Sequence, residues 1–557
     1  MRSILRVVPL LVLLLALSVA LVPAAAQDMM SYSTDCSAEG YTGLFQSVEA
    51  VDALTVKFTL CAPDPAFPAK VAFSAFSIQS SDYLEATGGG GDLVTNPVGT
   101  GPYKLERWDQ GNEMVLTRNE DYWGTPAIES TVIFRWNAEA TARLLELQSG
   151  NIDGMDNVAP GDFAVVEADP NLALYKRGGT NIFYLGMNNW FEPFDKLEVR
   201  QAIAYAIDRQ RIVDNFYPAG SSAATQFMPP SIFGFTGEVK PLDDGMTADE
   251  KLAKAAELLD AAGYPAGDDG TRFTVTLNYR DVVRSYLPTP GTVAQDIQAQ
   301  LAQLGIVVNI EVMESGAFLD ASDAGELAFY MLGWGADYPD ATNFLDFHFG
   351  EGSSDQFGNH FPEITEPLKE AASLADSAAR YQIYIQANEA IRDLVPMVPV
   401  AHGGNAAAFQ ARIAGAYASD IGAEQFALME DPDDDNIVWM QNAEPIGLYC
   451  ADETDGETLR ACEQINESLL AYEIGTARPV ARLATDWSAN EDLTEWTFTL
   501  REGVKFTDGS DLDANDVVMS FVAQWDAASP LHVGRDGNFT YWSGLFGGFM
   551  NAPASGE

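Results

Sequence analysis

The chain has 557 residues, several times the length of an ordinary domain, so two or three packed units are expected. Its 81 acidic residues outnumber its 31 basic residues and give a formal net charge of −50, which argues against binding to nucleic acids. Hydrophobic residues make up 47% of the chain, too many for a disordered protein.

The N-terminus has the pattern of a secretory signal peptide. Arg2 and Arg6 precede an apolar run over residues 7–22, and a small-residue cleavage site follows at residues 23–26. We therefore expect residues 1–26 to be removed, with cleavage near Ala26, and the mature protein to be periplasmic or extracellular. No cysteine stands directly after the cleavage site, so no lipid anchor is indicated.

Strands and helices alternate along the chain, which is typical of an α/β fold. Three consecutive elements at residues 273–279, 292–304 and 306–312 read as strand, helix and strand, a βαβ unit that predicts a parallel sheet. The other clear elements, in chain order, are a strand at residues 130–136, a helix at 137–149 and a helix opened by a capping box at Thr247 to Glu250.

A strand near the C-terminus lacks visible partners. Residues 496–500 alternate between apolar and polar side chains, and a helix signal follows at residues 510–515. Only a loop-like tail comes after that helix. The neighbouring strands must therefore come from another part of the chain.

Four cysteines are present in this exported chain, where oxidation is expected: Cys36, Cys61, Cys450 and Cys462. Cys450 and Cys462 bracket a polar, turn-rich segment, which favours a local disulfide and leaves Cys36 to pair with Cys61. The alternative is that Cys61, at the end of a predicted strand, is a buried free thiol.

Motifs for catalysis, cofactors and metals are missing from the sequence. It contains no HExxH, CxxC or GxSxG motif, and the glycine run at residues 88–91 lacks the Lys-Ser/Thr pair of a phosphate loop. The acidic segment at residues 430–436 lacks the central glycine and the terminal glutamate of a calcium loop. We predict no cofactor, no metal and no enzyme activity.

Several segments together resemble one family, the extracytoplasmic solute-binding proteins of oligopeptide and dipeptide ABC importers, known as family 5. The resemblance implies a type II periplasmic-binding-protein fold, in which two α/β lobes enclose a cleft and lobe I carries an extra subdomain. It also implies a monomer that captures a peptide and delivers it to a membrane permease with cytoplasmic ATPase subunits. The segments are residues 96–108, 116–124, 140–153, 194–209, 254–265 and 333–347.

The order of the segments differs from the order that is usual in this family. Residues 496–510 resemble a segment that normally lies near the mature N-terminus, whereas residues 395–422 resemble the usual end. A circular permutation explains this order, and an assembly artefact is the alternative, which the intact signal pattern disfavours. The predicted domains are an extra subdomain (33–95 and 473–557), the lobe I core (96–188 and 413–472) and lobe II (189–412).

The resemblance also indicates ligand-binding residues. Asp337 matches the family's residue for the α-ammonium group of a peptide, and Trp334 and Tyr338 flank it as aromatic platforms. The alternatives are a turn or capping role for Asp337 and core packing for the two aromatic residues.

A second predicted group lies before the helix of the βαβ unit. Arg284 and Tyr286 fall where dipeptide binders carry an arginine for the ligand carboxylate and a nearby tyrosine. Arg280 is a competing candidate, and a surface salt bridge is the structural alternative. Other solutes of the family (nickel chelates, oligosaccharides and opines) remain open, as does a secreted hydrolase, although the scarcity of histidine disfavours nickel ligation.

Overall fold

We describe a computed structural model of the chain, which covers residues 29–280, 284–350, 353–375, 377–474 and 478–552. The predicted signal peptide lies outside these residues. Within them, the structure has no helix that combines the length and the apolar character needed to cross a membrane.

The strands of the described residues form three large sheets and one two-stranded ribbon. In chain order they are β1 (Ser31–Ser33), β2 (Phe45–Asp52), β3 (Thr55–Leu60), β4 (Tyr103–Asp109), β5 (Glu113–Arg118), β6 (Thr131–Trp136), β7 (Gly154–Met155), β8 (Leu172–Arg177), β9 (Asn181–Met187), β10 (Ser222–Ala223), β11 (Phe273–Arg280), β12 (Ile306–Met313), β13 (Phe329–Gly335), β14 (Met397–His402), β15 (Asn405–Gln410), β16 (Asn436–Gln441), β17 (Leu470–Tyr472), β18 (Pro479–Ala481), β19 (Ala484–Ala489) and β20 (Glu495–Leu500).

The α-helices cover the faces of these sheets. In chain order they are α1 (Phe67–Lys70), α2 (Ser81–Thr87), α3 (Asp92–Thr95), α4 (Ala140–Gln148), α5 (Phe163–Ala168), α6 (Leu197–Ala206), α7 (Arg209–Phe216), α8 (Ala248–Ala261), α9 (Pro290–Ala302), α10 (Ser315–Asp323), α11 (Leu345–Phe349), α12 (Pro362–Ala371), α13 (Ser377–Leu394), α14 (Gly456–Cys462), α15 (Ala514–Trp525) and α16 (Thr540–Phe546).

One five-stranded sheet is built from two distant parts of the chain, in the order β1-β2-β3-β20-β19. β3 and β20 are antiparallel, with Val56 opposite Phe498 and Phe58 opposite Trp496. The rings of Phe58 and Phe498 lie 5.6 Å apart in the buried core of this unit. The strand at residues 496–500 therefore pairs with the N-terminal region, which confirms that its neighbours come from another part of the chain.

The other two large sheets form the cores of the lobes. Lobe I contains the order β4-β5-β6-β16-β7-β15-β8, and lobe II contains β10-β14-β9-β13-β11-β12. In lobe II, β11 and β12 are parallel from Phe273 opposite Ile306 to Arg280 opposite Met313, and α9 connects them. The predicted βαβ unit is confirmed, and so is the capping box at Thr247, whose side chain accepts from the Glu250 N–H.

The chain crosses between the lobes at residues 178–180 and 403–404. β8 and β15 belong to the lobe I sheet, whereas β9 and β14 belong to the lobe II sheet. The crossings are bonded to each other, because Asn181 Nδ2 donates to the Gly403 carbonyl at 2.7 Å. They lie earlier in the chain than the predicted boundaries at residues 188 and 412, because strand pairing rather than local sequence assigns each strand to its lobe.

Both predicted disulfides are formed. Cys36 bonds to Cys61 with a Cα–Cα distance of 5.5 Å, and Cys450 bonds to Cys462 at 5.9 Å, both within the range usual for disulfides. Cys61 is therefore not a free thiol. The second disulfide is fully buried and ties α14 to the loop before it.

Candidate functional site

Asp337 lies just beyond the C-terminal end of β13, beside the first crossing between the lobes. The N–H of the preceding Ala336 donates to the Thr180 carbonyl at 2.8 Å, which fixes this loop to the hinge. The Asp337 N–H donates to Asn343 Oδ1 at 2.9 Å, and Asn343 Nδ2 returns a bond to Asp337 Oδ2 at 3.0 Å. The carboxylate is therefore held in one orientation by neutral groups.

No base neutralises Asp337 within the described residues. Burial raises the pKa of its carboxyl, and the bond from Asn343 only partly opposes that shift. Burying a carboxylate without a cation is costly, so this position favours a ligand that carries positive charge. The bonds between Asp337 and Asn343 also shape the loop, so the alternative of a turn role for Asp337 is supported in part.

Tyr338 contacts the opposite lobe. Its ring is 6% exposed and packs with the core of the five-stranded subdomain, where Lys70 Nζ lies 5.4 Å from the ring centroid. Lys70 itself bonds to Asp64 at 2.8 Å. Tyr338 therefore packs between the two lobes, and its ring has little surface left for a ligand.

Trp334 is half-buried on lobe II. Its ring stacks on Phe347 with a centroid distance of 4.2 Å and meets His348 edge-on at 5.2 Å. The Trp334 Nε1–H has no hydrogen-bond partner among the described residues. Phe347 is 47% exposed, so this aromatic pair leaves an apolar surface exposed on lobe II.

Tyr286 lies on the other face of the lobe II sheet. It packs against Gly333, where a Cβ would lie 2.3 Å from Tyr286 Cδ2, and alternation along β13 directs Trp334 to the opposite face. The Tyr286 hydroxyl accepts a bond from Arg280 Nη2 at 3.1 Å. Tyr286 is thus bonded to Arg280, the alternative candidate to Arg284.

Arg284 has an exposed side chain, and its backbone forms a short bridge with Leu287. The structure thus brings Trp334, Asp337 and Tyr338 together in one segment. It places Tyr286 behind that segment, in the core of lobe II. The role of Arg284 toward a ligand carboxylate stays a prediction.

A cavity of about 260 Å³ lies on the lobe I side of the hinge. Two segments at residues 417–427 and 463–474 form most of its wall, together with Ala72, Ser74, Pro102 and Arg482. The wall reaches the Asp337 loop through Thr180, whose hydroxyl donates to the Asp420 carbonyl at 3.1 Å. Since the Thr180 carbonyl accepts from the Ala336 N–H, this one hinge residue is bonded both to the cavity wall and to the Asp337 loop.

Two tyrosines of lobe I lie close enough to Asp337 for its charge to act on their hydroxyl groups. Burial raises the pKa of the Tyr472 hydroxyl, and the charges of Glu463 and Asp337 raise it further. Burial likewise raises the pKa of Tyr541, again with a contribution from Asp337. Sequence analysis did not find either tyrosine, because no local pattern marks them and only the closure of the lobes brings them to the site.

The family profile described as "Bacterial extracellular solute-binding proteins, family 5 Middle" matches residues 20–356 and 478–537. The chain belongs to this family. The two-lobed fold expected from the resemblance is therefore confirmed for a family 5 protein.

Individual relatives of this family 5 chain differ in the solute that they are named for. It is 32% identical to di/tripeptide-binding protein 1 of Pseudomonas aeruginosa, over 64% of this chain and 65% of that one. It is 30% identical to heme-binding protein A of Haemophilus influenzae, over 69% of each. The solved structure of DppA from Helicobacter pylori in complex with peptide STSA matches with a TM-score of 0.51 at 30% identity, over 67% of this chain and 72% of that one. The chain thus spans about two thirds of the curated relatives that it matches.

Proposed function

We propose that this protein is the extracytoplasmic binding component of a peptide ABC importer. The observation that carries the proposal is the uncompensated, half-buried carboxylate of Asp337 in the cleft beside the hinge. The α-ammonium group of a peptide supplies the missing positive charge and can donate hydrogen bonds to the carboxylate. Lobe closure through Tyr338 then removes both charges from bulk water.

The charge of the cleft favours a peptide over heme, the solute that gives one relative its name. Heme carries propionate carboxylates, and an uncompensated carboxylate repels them. A relative named for di- and tripeptides and a solved relative in complex with a peptide support the same choice. The absence of a catalytic motif in the sequence agrees with binding rather than hydrolysis.

The N-terminal pattern supports export. In this proposal, residues 1–26 direct secretion and are removed near Ala26, and the mature protein meets a membrane permease in the periplasm or at the cell surface. The strongly acidic composition suits a solvated protein that moves freely between solute capture and the permease.

A binding assay with peptides tests this function. Purified protein incubated with a defined mixture of di- and tripeptides should retain about one peptide per chain and release it unchanged upon unfolding, as seen by native mass spectrometry. Heme titrated in parallel should cause no saturable absorbance change. Cleaved peptide products would indicate a hydrolase, and retention of heme with no peptide would overturn the proposal.

We further propose that the chain is circularly permuted relative to the usual family order. The supporting observation is that β2 and β3 share a sheet with β19 and β20 although more than four hundred residues separate β3 from β19. The two noncontiguous segments that match the family profile fit the same interpretation.

A rearranged chain tests the permutation. Moving residues 443–552 ahead of residue 29 restores the usual family order. A flexible linker then joins residue 552 to residue 29, and the chain ends at residue 442. We expect this chain to fold, with the circular dichroism spectrum and peptide affinity of the parent. A control that moves residues 360–442 instead should aggregate, because it separates β14 from its sheet. Aggregation of the first rearrangement would contradict the proposal.

A further inference from the structure

The wall of the cavity beside the hinge includes a carboxylate, that of Glu463, which no base among the described residues neutralises. Glu463 lines the wall and makes no ion pair within the described residues. Burial raises the pKa of its carboxyl to about 7, despite the opposing influences of Ser74 and Arg460. A cation placed in the cavity would remove this cost.

Other charged groups of the wall already have partners. Glu467 forms a salt bridge with Arg482 at 2.5 Å and accepts bonds from Trp123 Nε1 and the Tyr122 hydroxyl, each at 2.8 Å. Glu424 binds Arg460 at 2.7 Å. Arg482, the basic residue of the wall, is therefore already paired with Glu467.

The remaining two acids of the wall are bonded as well. Asp420 accepts the Gly178 N–H at 3.0 Å, and Glu473 pairs with Arg478 at 3.1 Å. Asp420 also lacks a basic partner among the described residues, but its carboxylate is tied to the backbone of the first crossing between the lobes. Glu463 is the wall acid that combines the absence of an ion pair with a pKa raised by burial.

The cavity suits a long side chain with an apolar stem. Its volume of about 260 Å³ is far larger than the ~10–15 Å³ that one water requires. Ala72, Ile421, Leu470 and Ala471 supply apolar contacts along the wall. Lysine and arginine combine an aliphatic stem with a charged end, which matches apolar walls that lead to a carboxylate.

The position of the cavity indicates which residue of a bound peptide would place its side chain there. Tyr472 and Glu463 line the same cavity, whose wall is bonded to the Asp337 loop through Thr180. The charges of Glu463 and Asp337 both raise the pKa of the Tyr472 hydroxyl. If Asp337 holds the α-ammonium group, the side chain on the adjacent Cα is the one that starts closest to the cavity. We propose that this cavity binds a lysine or arginine side chain at the first position of the peptide, with Glu463 as its counter-ion; this inference rests on the proposed peptide-binding function.

Calorimetry with matched dipeptides tests the inference. The probes are Lys-Ala, norleucyl-Ala, which lacks only the terminal ammonium, and Ala-Lys. We expect the parent protein to bind Lys-Ala about 30-fold or more tightly than norleucyl-Ala, as expected for a buried charge pair. Glu463→Gln should lose this preference while its affinity for norleucyl-Ala stays unchanged, which also shows that the variant is folded.

The matched control is Glu473→Gln, which removes a charge from the same wall at an acid that already has a partner. It should keep the preference for Lys-Ala. Persistence of the preference in Glu463→Gln, equal binding of Lys-Ala and norleucyl-Ala by the parent, or tighter binding of Ala-Lys than of Lys-Ala would each overturn the inference and leave the proposed function intact. Failure of all three dipeptides and of longer peptides to bind would instead remove the proposed function.

Discussion

We expect Asp337→Asn to weaken binding of a peptide with a free N-terminus by roughly 30-fold to several thousand-fold. The substitution keeps the size of the side chain but removes the charge that compensates a buried ammonium, and truncating one member of such a pair costs about 2–5 kcal/mol. Asn343 and the Asp337 N–H keep the loop in place, because the backbone donor to Asn343 Oδ1 is unchanged. Isothermal calorimetry measures the loss.

Acetylation of the peptide N-terminus removes the same interaction from the ligand side. The losses caused by Asp337→Asn and by acetylation should therefore be non-additive in a cycle of four measurements. Asp393→Asn, at an exposed position of lobe II, serves as the control variant and should bind like the parent. Additive losses would show that Asp337 only shapes the loop, and equal affinity of the parent for free and acetylated peptide would exclude ammonium capture.

We expect the largest losses of stability from substitutions in a buried ring of four charged residues in lobe I. Arg177 and Arg460 each bridge Asp156 and Glu424, and every member has at most 4% of its side chain exposed. Burial alone would raise the pKa of Asp156, but the two guanidinium groups lower that pKa below its ordinary value. The two negative charges are therefore compensated only when both arginines are present.

We expect Arg460→Met to lower the free energy of unfolding by about 3–5 kcal/mol, because it leaves two buried carboxylates with a single arginine. The midpoint of urea unfolding, followed by circular dichroism, measures the change. Lys254→Met removes one member of an exposed helix pair with Glu257, at 3.1 Å, and should change stability by less than about 1 kcal/mol. A shift for Arg460→Met as small as that control would contradict the prediction.

Local sequence determined the elements whose signals depend on neighbouring residues. The capping box at Thr247 and the βαβ unit of β11, α9 and β12 follow from periodicity and from hydrogen-bonding groups a few residues apart. The turn-rich segment between Cys450 and Cys462 likewise indicated a local disulfide. Resemblance to a family singled out Asp337, which the structure places just beyond the end of β13.

Long-range order required more than local sequence. The missing partners of β20 could be predicted, because an alternating strand without neighbours implies that other strands lie elsewhere in the chain. The crossings at residues 178–180 and 403–404 could not, since strands on either side of a crossing have similar apolar patterns and differ only in their partners.

Only the tertiary structure decided which groups meet at the cleft. Alternation assigns Trp334 and Gly333 to opposite faces of a strand, but it does not say that Tyr286 covers Gly333. The cavity around Glu463 and the ring that joins Arg177 to Arg460 bring together residues from distant segments. Periodicity specifies which face of an element is buried, whereas the identity of the group packed against that face depends on the closure of long loops and lobes.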